Sequence, residues 1–238
     1  MGIITDILQQ IPDERADIVT AGSRTVAVKV ADRIGVAHRH FRWNGPIVTA
    51  EYTSRRLTTL IRSNNLTEKA IGAAAINAQL RPQHYQRIEV FSHILAIAEN
   101  YQRISVVGYF PFVETLRRSV RKENLFVFDL RDIEGCLPPD QQEDIIPTCD
   151  LIVISGSAFA NGTLEHLLEL SQGYTLVIGP TTPISEVLFE YGVDIIAGII
   201  TTREDILGVI AHHGGTKQFK HLVENVFMER QAKTQRES

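Results

Sequence analysis

At roughly 150 residues per domain, 238 residues make one to two domains, and 44% hydrophobic with 22% charged residues excludes a disordered or fibrous chain. Lys and Arg number 24 against 28 Asp and Glu, a formal charge of −4 that lacks the basic excess of phosphate-binding surfaces and argues against nucleic acid. Cys136 and Cys149 fit neither a disulfide scaffold nor a zinc motif, no apolar run reaches the ~18 residues that cross a bilayer, and the N-terminus lacks signal-peptide order. The expected setting is the cytoplasm and the expected partner a small molecule, with no nucleic acid and no membrane; a homodimer stays open.

Val26, Val28 and Val30 alternate along residues 25–30, the pattern of a half-buried strand. Residues 31–33 turn the chain, and 34–42 read as the returning strand, broken by Asn44-Gly45-Pro46. After an extended stretch at 47–52, Leu57, Leu60 and Ile61 take helical spacing. Asn65 and Glu68 form a capping box before a small-residue helix that runs to Leu80. Arg81-Pro82-Gln83-His84 interrupts the pattern, so the expected domains are a small α+β unit at 1–84 and a second unit at 85–238. In the second, a helix at 87–101 precedes five apolar runs at 104–108, 125–129, 151–155, 175–179 and 193–198. Helical stretches at 112–122, 139–146, 161–170, 184–191 and 203–212 separate or follow them. Runs without alternation imply burial on both faces, and strand–helix alternation implies an α/β fold with a Rossmann-like, doubly wound parallel sheet. Residues 229–238 read as a frayed polar tail.

Ligands of an open parallel sheet bind beyond the carboxyl ends of its strands. Four loops qualify: Gly108-Tyr109-Phe110-Pro111, Asp129-Leu130-Arg131, residues 155–163, and Gly179-Pro180-Thr181-Thr182-Pro183. The third gathers Ser155, Gly156, Ser157, Asn161 and Thr163 ahead of a helix, where free N–H groups and the helix dipole favour phosphate or carboxylate. Simple helix capping by Asn161 or Thr163 is the ligand-free alternative. The fourth fixes Thr181 between Pro180 and Pro183, which a stiff turn also explains. Asp129 stands 21 residues after Gly108, where dinucleotide and adenosyl-methionine sites keep a ribose-binding acid. The absence of G-x-G-x-x-G argues against a classical NAD site, whereas Tyr109, Phe110 and Phe112 suit a planar, partly apolar ligand or pack the sheet edge. His38 and His40 share a strand face and could hold a metal, although Arg39 and Arg42 oppose a cation there.

Five segments occur in order: GAAAINAQL around Asn77, VVGYFP at 106–111, SGSAFANGTLEHLLEL at 155–170, GPTTPISEVLF at 179–189 and GVDIIAG at 192–198. Together they resemble the bacterial and archaeal heavy-metal chelation domain family, and the resemblance covers nearly the whole chain. It implies a unit similar to the N-terminal domain of enolase, joined to a Rossmann-like domain with a site between them. It also implies heavy-metal chelation, or condensation or hydrolysis of a pterin-, flavin- or siderophore-like molecule. Its site positions on this chain are Asn77, Gly108, Phe110, Pro111, Asp129, Ser155, Gly156, Ser157, Asn161, Thr163, Gly179, Pro180, Thr181 and Pro183. Ser155, Ser157 and Ala158 depart from an expected threonine-rich run, Thr181 from serine and Asp129 from glutamate. Such glycine, hydroxyl and amide groups bind soft metals poorly and suit an oxygen-rich organic molecule, so no direct metal site is expected among them.

The leading expectation is therefore a binder of, or an enzyme acting on, a small anionic, planar metabolite in the interdomain cleft. Asp129 would be its acid/base or ribose-binding group, and Asn77 would orient the ligand from the opposite wall. The alternatives are a non-catalytic carrier of metal or metal chelate through His38 and His40, and methyl transfer from adenosyl-methionine. The residues assign no cofactor.

Overall fold

A computed structural model describes residues 2–12, 14, 16–39 and 53–231. Helix α1 (Ile3–Gln9) precedes a three-stranded antiparallel meander of β1 (Ala16–Ala21), β2 (Thr25–Val30) and β3 (Arg33–His38). Helices α2 (Ser54–Thr59) and α3 (Leu66–Asn77) follow. The cap before α3 forms as its sequence suggests: Asn65 Oδ1 accepts the amides of Thr67 and Glu68 at 2.8 and 3.2 Å. Glu68, however, meets the Ser63 hydroxyl rather than closing the box on the cap residue.

The small sheet is buried on both faces, not one. Val26, Val28 and Val30 pack toward α3. Ala27, Ile34 and Val36 on the other face pack against Ile206 and Ile210 of a helix from the second unit, α10 below, and against Phe219 and Leu222. Gly35 makes the α3 contact possible, because a Cβ there would stand 2.0 Å from the Ala74 carbonyl oxygen. Helix and strand backbones touch directly at that point.

The second unit runs α4 (Val90–Ala98), β4 (Ile104–Val107), α5 (Val113–Ser119), β5 (Leu125–Phe128), α6 (Gln142–Ile145) and β6 (Leu151–Ser155). It continues through α7 (Ser157–Asn161), α8 (Leu164–Leu170), β7 (Tyr174–Ile178), α9 (Val187–Glu190) and β8 (Ile195–Ile200). It closes with α10 (Asp205–Ala211), α11 (Thr216–Phe219) and β9 (Glu224–Glu229). The fold is α/β, with sheet order β5-β4-β6-β7-β8-β9. β9 pairs antiparallel to β8 and the other pairs are parallel, so the sheet has six strands rather than the expected five. Glu229, expected in the tail, ends β9 opposite Ile195. The central strands lack alternation because both faces meet an apolar layer. Leu151 and Val153 join Ile94 of α4 and Leu116 of α5, while Ile152 and Ile154 join Phe159, Leu167 and Leu188 from α7, α8 and α9. Residues 157–161, expected in a loop, form α7, which Gly162 ends at φ +86°, so the helix expected at 161–170 begins at Leu164 as α8. No helix among the described residues is long and apolar enough to cross a membrane.

One arrangement positions everything that follows. β3 lies across the carboxyl edge of the large sheet. The Ile34 amide donates to the Thr201 carbonyl, just past β8, at 3.1 Å. The His38 amide donates to Thr181 Oγ1, just past β7, at 2.8 Å. The strand thus covers the β7 and β8 part of the edge and leaves the β4–β6 tips to one side of it.

Candidate functional site

The chain leaves β4 outward to β5 and returns on the other side to β6, so the topological switch point lies between β4 and β6. Gly108 and Gly156 each extend the neighbouring ladder by one bond, their amides donating to the Phe128 and Ile178 carbonyls at 2.7 Å. Gly108 has φ +103°, and a Cβ there would come within 2.8 Å of Ser155 Cβ. The floor is thus two loops set back to back, a conformation that only glycine adopts without strain. The Phe110 ring reaches over this floor. It stacks on Phe112 at 5.3 Å between centroids and meets Phe91 edge-on at 6.1 Å. Phe112 itself is buried, so it packs the core and offers no face to a ligand.

Asp129 anchors the neighbouring wall. One carboxylate oxygen accepts the Tyr109 amide and Arg131 Nη2, each at 2.9 Å. The other accepts the Arg131 amide at 2.9 Å and its Nε at 2.8 Å. Burial pushes the Asp129 carboxyl up, but the Arg131 side chain and the two amides outweigh it and hold the pKa below the ordinary aspartate value. A carboxylate with four acceptor positions filled is a poor proton shuttle, and it would have to surrender its fork to accept ribose hydroxyls. The acid/base and ribose roles expected of Asp129 therefore give way to a positioning one: it aims a guanidinium. The Asp129 side chain is 8% exposed and Arg131 52%.

His38 comes from the small unit to within the electrostatic reach of Arg131. Burial, and then the positive charge of Arg131, hold its imidazole below the usual histidine range, and Nε2 lies 3.3 Å from Thr216 Oγ1. Sequence reasoning missed both partners. It took His38 only as half of a metal pair and Arg131 only as a loop residue, although Asp-x-Arg is a spacing that lets a guanidinium fold back on a carboxylate.

The other expected positions divide. Ser155 and Ser157 sit half-buried on the rim, the Ser157 amide donating to Ser155 Oγ at 3.3 Å. Gly179 and Pro180 are also half-buried, and Pro111 is exposed. Thr181 and Pro183 are buried, and the Thr181 hydroxyl accepts the His38 amide of β3, so Thr181 serves that interface rather than a ligand. Gly156 is buried against Thr182. Asn161 ends α7, Thr163 lies just past it, and the two bond each other, Asn161 Oδ1 accepting the Thr163 amide at 3.0 Å and hydroxyl at 2.7 Å. Asn77 does not face the β4 and β6 tips. Its Nδ2 donates to the Val36 carbonyl at 3.1 Å, and it lines a separate cleft with Arg33, Tyr85 and Thr201. The close approach at Gly35 draws the end of α3 onto β3 and turns Asn77 away from the switch point.

Residues 90–229 match the DUF364 family profile, and residues 4–80 match that of DUF4213; both are described as "Putative heavy-metal chelation". The chain belongs to the DUF364 family. A DUF364 protein of unknown function from Desulfitobacterium hafniense superposes with a TM-score of 0.86 at 23% identity, covering 96% of this chain and 98% of that one. Another, from Pyrococcus horikoshii, gives 0.78 at 20% over 96% and 98%. At those identities the likeness shows the fold. An uncharacterised protein of Methanocaldococcus jannaschii is 28% identical over 146 residues, 57% of this chain and 55% of that one, so the match spans about half the length of this relative.

Heavy metals of the soft kind take thiolate and imidazole ligands. The described residues of this DUF364 chain do not fit that requirement. Cys149 is buried at the amino edge of β6, its Sγ 3.4 Å from the Ile145 carbonyl, and Cys136 lies past the carboxyl edge of β5. Burial pushes both thiols up, away from the thiolate a metal needs. Among the described residues no three His, Cys, Asp or Glu side chains converge. His40, the second member of the expected pair, lies outside the described residues.

Proposed function

We propose that the switch-point crevice binds a small, anionic, planar organic molecule, with Arg131 as the anchor for its negative charge. The observation that carries this reading is the guanidinium held by Asp129 and half exposed beside the β4–β6 switch point. Ser155 and Ser157 offer hydroxyls to the same molecule, and Phe110 and Tyr109 flank its ring. Metal chelation then belongs to the bound molecule's oxygens rather than to protein thiols. If the molecule is condensed or hydrolysed, His38 is the group able to move a proton, since Asp129 is saturated.

Calorimetric titration with 6-carboxypterin, planar and carboxylate-bearing, tests the assignment. Arg131→Gln should weaken binding by about tenfold or more, a loss expected for one charge-assisted contact. Equal affinity in wild type and variant would overturn it.

A further inference from the structure

We propose a second ligand site in the cleft at the opposite end of β3, one that takes a small hydroxy- or amino-carboxylate. The cleft opens where β8 and β9 meet the β2–β3 turn, and its volume of about 430 Å³ falls within the roughly 300–1,000 Å³ of small-molecule sites. Three guanidinium groups line it, from Arg33, Arg81 and Arg203, against the carboxylates of Asp32 and Glu224. Glu224 is already taken by the Tyr85 hydroxyl at 2.8 Å and Arg87 Nε at 2.7 Å. Glu14 holds Arg33 at 2.6 Å but reaches Arg81 only at 3.5 Å. Arg203 pairs with Asp205 at 2.9 Å. The side chains of Arg81 and Arg203 are 53% and 59% exposed, and ion pairs so exposed contribute little, so both can turn to an incoming anion. Guanidinium forks match carboxylate geometry.

Two buried atoms on the cleft residues narrow the chemistry. Asn77 Oδ1, an acceptor, has no hydrogen-bond partner, and Arg33 Nε, a donor, has only the Asp32 carboxylate at 3.7 Å. The bond from Asn77 Nδ2 to Val36 fixes the amide, so its oxygen asks for a donor. A carboxylate that also carries a hydroxyl or ammonium group answers the guanidinium groups and this acceptor together.

Citrate is the probe, titrated calorimetrically into the full chain, with tricarballylate as the same tricarboxylate lacking the hydroxyl. Citrate should bind saturably, and the double variant R81Q/R203Q, altered only at solvent-facing side chains, should weaken it by about tenfold or more. R118Q, at an exposed arginine outside both sites, should leave it unchanged. Citrate should also shield Arg81 and Arg203, but not the exposed Arg118, from phenylglyoxal as read by mass spectrometry. No saturable binding up to about 10 mM, wild-type affinity in R81Q/R203Q, or loss of binding in R118Q would each overturn the site. Tricarballylate binding as tightly as citrate would overturn the part given to Asn77.

Discussion

Replacing Asp129 with Asn probes the carboxylate that aims Arg131. Asn keeps the shape, removes the charge, and sets an NH2 group where a second acceptor stood. The Tyr109 and Arg131 amides both donate to the carboxylate at 2.9 Å. A hydrogen bond to a charged group contributes about 1.5–3 kcal/mol, and Asn can satisfy one of the two amides. The fork to Arg131 adds less than about 1 kcal/mol, because the guanidinium is half exposed. The expected loss is thus about 3 kcal/mol, or roughly 6–12 °C in Tm for a chain of this size. Urea unfolding followed at several pH values reads it as a fall in midpoint at unchanged slope. The sign follows from the depressed carboxyl: its contribution is complete above the unfolded value near ~3.9 and disappears as pH drops through the folded value. The gap between wild type and variant should therefore be flat from neutral to mildly acidic pH and close in strong acid. Equal stability at neutral pH, or a gap that persists undiminished in acid, would refute the reasoning.

Gly35→Ala should destabilise by at least about 2 kcal/mol in the same assay, since the new methyl would meet the backbone of α3 rather than a movable side chain. His38 should titrate below ~6.5 by NMR, and Arg131→Gln should raise its pKa without restoring it fully, because burial is the larger cause. The depressed imidazole gives stability that is complete above ~6.5 and lost as pH falls toward the folded value. Cys149 should resist a thiol-specific disulfide reagent until the chain unfolds, whereas the half-buried Cys136 should react in the native state; equal native rates would contradict the burial of Cys149.

The large sheet was legible because residues such as Leu151 to Ile154 are apolar on both faces, a pattern that few other settings produce. β9 was not, since only Val226, Phe227 and Met228 are buried and polar residues flank them. Nor could local pattern show that Ala27 and Ile34 meet α10, a contact made across more than half the chain. At the candidate site, Gly108, Phe110, Ser155 and Ser157 were found by the rule that ligands gather at strand ends. The same rule wrongly included Thr181, because it knows nothing of a strand from another unit lying over that end. Asn77 was misplaced for a related reason: which way it turns is decided by a backbone contact at Gly35, far from it in sequence.

The small sheet owes one of its two covers to helices encoded after β8. A shortened gene product ending near residue 84 would bare Ala27, Ile34 and Val36 to water, while a product starting there would bare Ile206, Ile210 and Phe219. Each fragment would thus carry a bared apolar face that the other half covers in the whole chain, and each would be prone to clump.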